Sequence, residues 1–183
     1  MSESSQVSPK ASIIIPSVRG AATLATAVQK VLQSDFPDFE VIVVDNGAEP
    51  QTRKVIESLP PAVTQIHCER NLGFAGGNNL AVNLSRGEIL VFLNDDTEVR
   101  RDWLKNLVST LLASPDVGIA GSLILEADGQ HIQHSGSQFN GNFLNRHLGK
   151  RDPLSMAPRK PLEREYVMGA AIAIRRSLFV ALG

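Results

Sequence analysis

The sequence predicts an α/β domain built on an open, mostly parallel sheet with helices on both faces, and three observations carry that expectation. Apolar, β-branched runs without polar alternation recur at 12–15, 39–44 and 88–93, which suits strands buried on both faces. Between them lie stretches with apolar residues at helical spacing, such as Leu24, Ala27, Val28, Val31 and Leu32. Strand and helix then alternate through the first two thirds of the chain, the pattern of right-handed crossovers in a parallel sheet.

Taken in order, Ser12-Ile13-Ile14-Ile15 reads as a buried strand stopped by Pro16, which has no N–H for a ladder. A helix over 21–34 follows and ends at Asp35-Phe36-Pro37. Phe39 to Val44 is the second strand, with Asp45-Asn46-Gly47 at its exit; 52–59 is a short helix closed by Pro60-Pro61, and 63–68 a third strand. A helix over 75–85 precedes Arg86-Gly87, and the fourth strand, 88–93, ends at Asn94-Asp95-Asp96-Thr97. A helix over 103–113 and a fifth strand over 117–122 complete the alternation. Asp128 to Pro161 is rich in Gly, Asn, His, Arg and Pro, without sustained periodicity, and reads as an irregular, mobile segment. Order resumes with a strand-like stretch from Tyr166 to Ile174 and a helical one from Arg175 to Leu182. Residues 1–10 are polar and Ser-rich and read as a disordered tail, leaving 11–183 as the folded unit.

Composition narrows the function. The 183 residues carry 18 Lys+Arg against 19 Asp+Glu, a net charge of −1, so no basic excess exists to displace counterions and no nucleic-acid partner is expected. A single cysteine, Cys68, excludes an internal disulfide and reads as a small apolar residue. No stretch reaches the roughly 18 apolar residues of a membrane span, and the first ten residues lack the apolar core of a secretory signal. A cytoplasmic protein is expected, with peripheral contact at the inner face of the cytoplasmic membrane left open.

In an open parallel sheet, ligands bind outside the carboxyl ends of the strands, so polar residues at the strand exits are the candidates. Asp45 places a carboxylate there that suits a base or ribose, although Asp-Asn-Gly is also ordinary turn chemistry. Asn94-Asp95-Asp96 brings two adjacent carboxylates out of a buried strand, an arrangement that is costly without a cation. Mg²⁺ or Mn²⁺, held by one or two carboxylates and the oxygens of a diphosphate, removes that cost; a helix N-cap is the plainer alternative. The loop from Asn71 to Asn79, with Gly73, Gly76, Gly77 and Asn78, lets backbone approach a ligand at a helix start. It lacks the Gly-Lys-Ser/Thr of a P-loop. His67, His131, His134 and His147 form no metal motif, though His131 and His134 could line a site. Arg175-Arg176 could pair with phosphate, or lie on a solvated helix start.

Ile13-Ile14-Ile15-Pro16-Ser17, Val43-Val44-Asp45-Asn46, Asn71-Leu72-Gly73-Phe74-Ala75, Leu93-Asn94-Asp95-Asp96-Thr97 and Val167-Met168-Gly169-Ala170-Ala171, with Ile174-Arg175-Arg176 and Phe179, together resemble the family 2 glycosyltransferases from about Ala11 to Gly183. The Asn-x-Asp-Thr form is similar to rhamnosyltransferase-like members of cell-surface polysaccharide pathways. The resemblance implies a GT-A fold with a Rossmann-like nucleotide-binding half, a UDP- or dTDP-sugar donor, a glycan or lipid-linked acceptor, and inversion at the anomeric carbon. Carried over by position, it makes Asp45 the partner of the nucleobase, with Pro16 and Ser17 lining the same pocket. It assigns Asn71, Gly73 and Asn78 to the nucleotide site. Asn94-Asp95-Asp96 resembles the family's DxD motif, in which the last carboxylate, here Asp96, holds Mg²⁺ or Mn²⁺ on the donor diphosphate. Asn94, standing where the strict motif has its first acid, and Asp95 then belong to donor binding. The acidic segment that supplies the family's general base is not found, and Glu163 and Glu165 come too early in the pattern. The catalytic base is therefore expected beyond Gly183, and the chain reads as the donor-binding part of an enzyme truncated at its C-terminus.

A non-catalytic nucleotide-sugar or glycan-binding module is the alternative from another class. A nicotinamide oxidoreductase is disfavoured, because the first strand exit reads Pro16-Ser17-Val18-Arg19-Gly20 in place of a glycine fingerprint.

Overall fold

The structure, a computed structural model, describes residues 9–139 and 145–182. Of the tail expected over 1–10, positions 1–8 lie outside the described residues, as do positions 140–144 of the irregular segment and Gly183, whereas Pro9 is buried and Lys10 N–H donates to the Asp38 carbonyl, so these two belong to the fold. In chain order the elements are β1 (Ala11–Ser17), α1 (Leu24–Leu32), β2 (Phe39–Asn46), α2 (Pro50–Glu57), β3 (Val63–Cys68), α3 (Gly73–Leu84), β4 (Ile89–Leu93), α4 (Trp103–Leu112), β5 (Ile119–Gly121), β6 (Ile124–Leu125), β7 (Ile132–His134), β8 (Ser137–Phe139), β9 (Asn145–His147), a 3₁₀ turn at Leu154–Met156, β10 (Ala171–Arg175) and α5 (Arg176–Leu182).

Six strands form one sheet in the order β3-β2-β1-β4-β10-β5, with β3, β2, β1 and β4 mutually parallel. Alternate residues of the strands feed two cores. Ile13, Ile15, Val41, Val43 and Val91 pack against Leu24 and Val28 of α1, Ile56 of α2 and Leu104, Leu107 and Leu111 of α4. Ile14, Ile42, Val44, Leu90 and Phe92 pack against Ala81 and Val82 of α3 and, in part, Leu178 and Phe179 of α5. The unbroken apolar runs are thus explained by helices on both faces. β1 continues through Pro16 to Ser17, past the expected stop. Its ladder to β4 ends at Ile14, and beyond that only β2 flanks it, so the missing N–H of Pro16 costs no central hydrogen bond.

The strand expected at 166–174 is corrected. Only Ala171–Arg175 joins the sheet, and it runs antiparallel between β4 and β5, so the fifth strand does not neighbour the fourth. Residues 166–170 form a strap leading into it: Tyr166 bridges to Ser137, and Val167 sits against Gly121, where a Cβ would come within 2.5 Å of it. The segment read as irregular also has local order. β7 pairs with β6 and β8 with β9, while Ile132 N–H donates to the Asp152 carbonyl (2.9 Å) and Leu154 N–H to that of Gln130 (2.7 Å). Its backbone is satisfied by short excursions outside the main sheet, which leave no long period in the sequence.

Arg175 and Arg176 hold helix ends. Arg175 donates through one terminal nitrogen to the carbonyls of Leu111 (2.5 Å) and Ser114 (3.1 Å) at the end of α4. Arg176 reaches the Val82 carbonyl (3.0 Å), Ser85 Oγ (2.7 Å) and the Gly87 carbonyl (2.6 Å) at the end of α3. These are the orphan acceptors that a cation at a helix C-terminus satisfies. They lie at the amino end of β4, so of the two readings left open for the arginines, phosphate partner or solvated helix start, the structure gives neither: both guanidinium groups are spent on helix ends.

Candidate functional site

The exits of β1, β2 and β4 share the carboxyl edge of the parallel sheet. At β1 and β4, Ser17, buried at 1% exposure, donates through Oγ to Asp95 Oδ2 at 2.5 Å. Gly20 closes the same corner: a Cβ there would lie 2.4 Å from Asp95 Oδ2 and 2.5 Å from Ser17 Oγ. Burial raises the Asp95 carboxyl above its ordinary range, and the neighbouring charge of Asp96 adds to that, against the lowering effect of the Ser17 bond. Asp96 is exposed, and among the described residues it has no hydrogen-bond or ion-pair partner. Neither carboxylate caps α4, which Asp102 precedes, so the plainer N-cap reading is removed. Asn94 N–H donates to the Ala170 carbonyl at 2.9 Å, tying the diacid loop to the strap before β10.

No three His, Cys, Asp or Glu side chains gather into an ion-binding cluster among the described residues. Of the two carboxylates, Asp95 is turned toward Ser17 and Asp96 faces solvent.

At the exit of β2, Asp45 has 0% exposure. Its Oδ1 accepts the Ala48 N–H (2.7 Å), while Oδ2 accepts Arg53 Nε (2.8 Å) and meets His67 Nδ1 (3.1 Å). Burial pushes the carboxyl up, but these bonds together outweigh it and hold the group below the ordinary carboxylate range. The open carboxylate expected here is thus enclosed. Register explains one side of the enclosure, since Asp45 stands directly opposite His67 on β3; the other comes from the first turn of α2, where Pro50 at the helix start fixes the approach of Arg53. Cys68 is buried; its thiol is raised by burial and by the Asp45 charge, consistent with its reading as a small apolar residue.

Asn46, which the sequence reading passed over, organises the next loop. Its amide donates to Asn71 Oδ1 (3.3 Å) and the Gly73 carbonyl (3.0 Å), and its Oδ1 accepts the Leu72 N–H (3.0 Å). Asn71 Oδ1 also takes the Gly73 N–H at 2.8 Å. Gly47, with φ of +67°, runs so close beneath that a Cβ would lie 2.4 Å from Asn71 N, a place only glycine fits. Asn78 is 4% exposed and donates to the Phe74 carbonyl (2.9 Å), and its Oδ1 is buried without a partner. An orphan acceptor beside this loop marks a polar atom that a ligand hydroxyl or amide would satisfy.

His131 and His134 do not share a site. His131 Nδ1 meets Asp128 Oδ2 at 2.6 Å on an exposed turn, which lowers that carboxyl to about 2. His134 is fully buried; its Nε2 accepts the Met168 N–H at 3.1 Å, so the proton sits on Nδ1 and donates to His147 Nδ1 at 2.9 Å. Burial, and then the electrostatic effect of the neighbouring His147, push His134 below the ordinary histidine value.

The sequence profile of Glycosyl transferase family 2 matches residues 12–183. The chain is 30% identical over 190 residues to the O-antigen biosynthesis protein RfbC of Myxococcus xanthus, spanning 96% of this chain and 14% of that one. It is 28% identical over 153 residues to the GalNAc(5)-diNAcBac-PP-undecaprenol beta-1,3-glucosyltransferase of Campylobacter jejuni, spanning 79% and 47%. The chain thus covers less than half the length of either relative. Among solved structures, the mannosyltransferase PcManGT of Pyrobaculum calidifontis, in complex with GDP-Man and Mn²⁺, superposes with a TM-score of 0.67 over 97% of this chain and 48% of that one at 22% identity. TarS 1–349 of S. aureus, in complex with UDP, gives 0.51 over 57% and 32% at 26% identity.

Proposed function

The chain belongs to glycosyl transferase family 2, and from that premise we propose that its strand-exit cleft binds the nucleoside diphosphate of a UDP- or dTDP-sugar. A divalent cation at Asp96 would bridge the protein to the diphosphate. This is the donor side of sugar transfer, with inversion, to a glycan or lipid-linked acceptor, and peripheral contact with a membrane carrying that acceptor belongs to the same proposal. No helix among the described residues is long and apolar enough to cross a membrane.

The observation that carries the reading is the diacid at the exit of β4, where Asp95 is engaged by Ser17 and Asp96 is exposed and uncommitted. Displacement at an anomeric carbon builds negative charge on the departing diphosphate, and Mg²⁺ or Mn²⁺ supplies the neutralising charge there. Asp96 would hold the ion. Asp95, fixed by Ser17 and backed by Gly20, would keep the loop in place. Asn78 Oδ1 and the backbone around Asn71 and Gly73 would line the nucleotide. Release of an acceptor proton needs a base on the opposite face; Glu165 is engaged elsewhere, accepting the Phe139 N–H at 2.6 Å.

Calorimetric titration with UDP, dTDP and GDP, with and without Mn²⁺, tests the proposal. Binding that requires Mn²⁺, and loses that requirement in Asp96→Ala while the melting temperature is kept, is the expected result. A variant whose metal dependence matches the parent would remove Asp96 from the site.

A further inference from the structure

Asp45 offers no surface to a ligand: it has 0% exposure, and both oxygens are taken by Ala48, Arg53 and His67. The groups presented at this corner are the two that cover it, with side-chain exposures of 45% for Arg53 and 52% for His67. We propose that Arg53 and His67 read the nucleobase, and that Asp45 acts behind them as a positioning residue. The inference rests on the donor-site reading above and names the residues that choose the base.

The chemistry of the pair defines the edge it would take. Arg53 spends Nε on Asp45 and keeps the N–H groups of its two terminal nitrogens. The His67 tautomer that donates from Nδ1 to Asp45 keeps the lone pair of Nε2. The pair therefore presents donors next to an acceptor. A carbonyl oxygen beside a ring N–H answers both: the guanidinium donates to the C=O and Nε2 accepts from the N–H. Uracil, thymine and guanine have that edge, whereas adenine and cytosine have a ring nitrogen acceptor beside an exocyclic amine. A carbonyl oxygen is the stronger partner for a guanidinium. Asp45 fixes both readers at once. One carboxylate oxygen orients the guanidinium plane and sets the imidazole tautomer, and the Arg53 charge is balanced before any ligand arrives.

The test is titration of the chain and its variants with UDP, dTDP, GDP, CDP and ADP, and with inorganic pyrophosphate, all with Mn²⁺. The parent is expected to prefer UDP, dTDP or GDP over CDP and ADP. Arg53→Lys keeps a cation for Asp45 and removes the fork, and His67→Phe removes the acceptor. Each is expected to lower affinity for the preferred nucleotide about tenfold while leaving pyrophosphate unchanged. Because Asp45 acts through the other two, Asp45→Asn should cost little more in the double-variant background than that background already costs. If Arg53→Lys and His67→Phe bind the nucleotide like the parent while Asp45→Asn does not, Asp45 itself reads the base and the inference is overturned. Binding of neither nucleotide nor pyrophosphate would overturn the donor-site reading together with it.

Discussion

Arg176→Met separates a cap from a phosphate ligand. The guanidinium of Arg176 serves three acceptors, Val82 O, Ser85 Oγ and Gly87 O, at 3.0, 2.7 and 2.6 Å, and methionine keeps most of the stem while removing all three bonds. A hydrogen bond to a charged group contributes about 1.5–3 kcal/mol. The three share one side chain and do not add, so a loss of about 3 kcal/mol is expected. For a chain of this length that corresponds to a fall of about 6–12 °C in melting temperature. Arg175→Met should cost less, because that residue serves two carbonyls and carries a buried, unpartnered Nε whose removal relieves a desolvation penalty. Thermal melts by circular dichroism, with UDP and Mn²⁺ titrated well below both midpoints, check the order. An unchanged midpoint for Arg176→Met, or a folded variant with weakened UDP binding, would refute the cap and return the residue to the ligand.

Glycine substitutions at opposite ends of the sheet should split binding from stability. Gly20→Ala drives a Cβ into Asp95 and Ser17 side chains and is expected to weaken Mn²⁺-dependent UDP binding about tenfold with little change in melting temperature. Gly87→Ala meets the Ser12 N at 2.5 Å and the Ala11 carbonyl carbon at 2.6 Å, backbone atoms that cannot swing away, so melting should fall while binding of the folded protein persists; the opposite pairing would contradict the geometry. His134 gives a pH prediction. Its folded value lies below the ordinary one, so as pH falls below about 6.5 the unfolded chain takes up a proton that the folded chain refuses, and stability is lost until the folded value is passed. Urea unfolding of parent and His134→Asn between pH 7.5 and 5 should show a difference that shrinks toward acid; a constant difference would mean that burial does not disfavour the imidazolium.

The parts of the fold legible in the sequence are those set by contacts near in the chain or by uniform surroundings. Ile13-Ile14-Ile15 and Val41-Ile42-Val43-Val44 read as strands because helices cover both faces, and no polar alternation had to be inferred. Helix starts slipped by two or three residues where a turn intervened. Leu24 and Thr23 donate to the Gly20 carbonyl, so 20–23 form a turn where helix was expected. Pro50 opens α2 two residues early because its φ is already helical. The position of β10 was beyond such reading. An apolar run such as Ala171-Ile172-Ala173-Ile174 states that it is buried, not between which strands, and its place depends on Val167 meeting the bare backbone of Gly121 some 46 residues earlier in the chain.

The same distinction divides the candidate site. Asn94-Asp95-Asp96 announced itself because two like charges are adjacent in the chain, and the cost of that adjacency needs no tertiary knowledge. Asp45 looked equally plain, yet its environment is built across distance: Arg53 arrives by helix phase from α2, and His67 by the register of β2 on β3. A shift of one residue in that register would put Ile66 or Cys68 opposite Asp45 and turn the neighbouring side chain to the other face. The one sequence feature that could have warned of enclosure is the hydrogen-bond capacity of the Asp-Asn-Gly-Ala turn, which already commits Oδ1 to Ala48. A carboxylate half spent on its own turn and set between an arginine and a histidine is a poor first contact for a ligand. It is a good anchor for the two side chains above it, and for that reason the variants at Arg53 and His67, more than any at Asp45, test the proposed recognition of a base in this cleft.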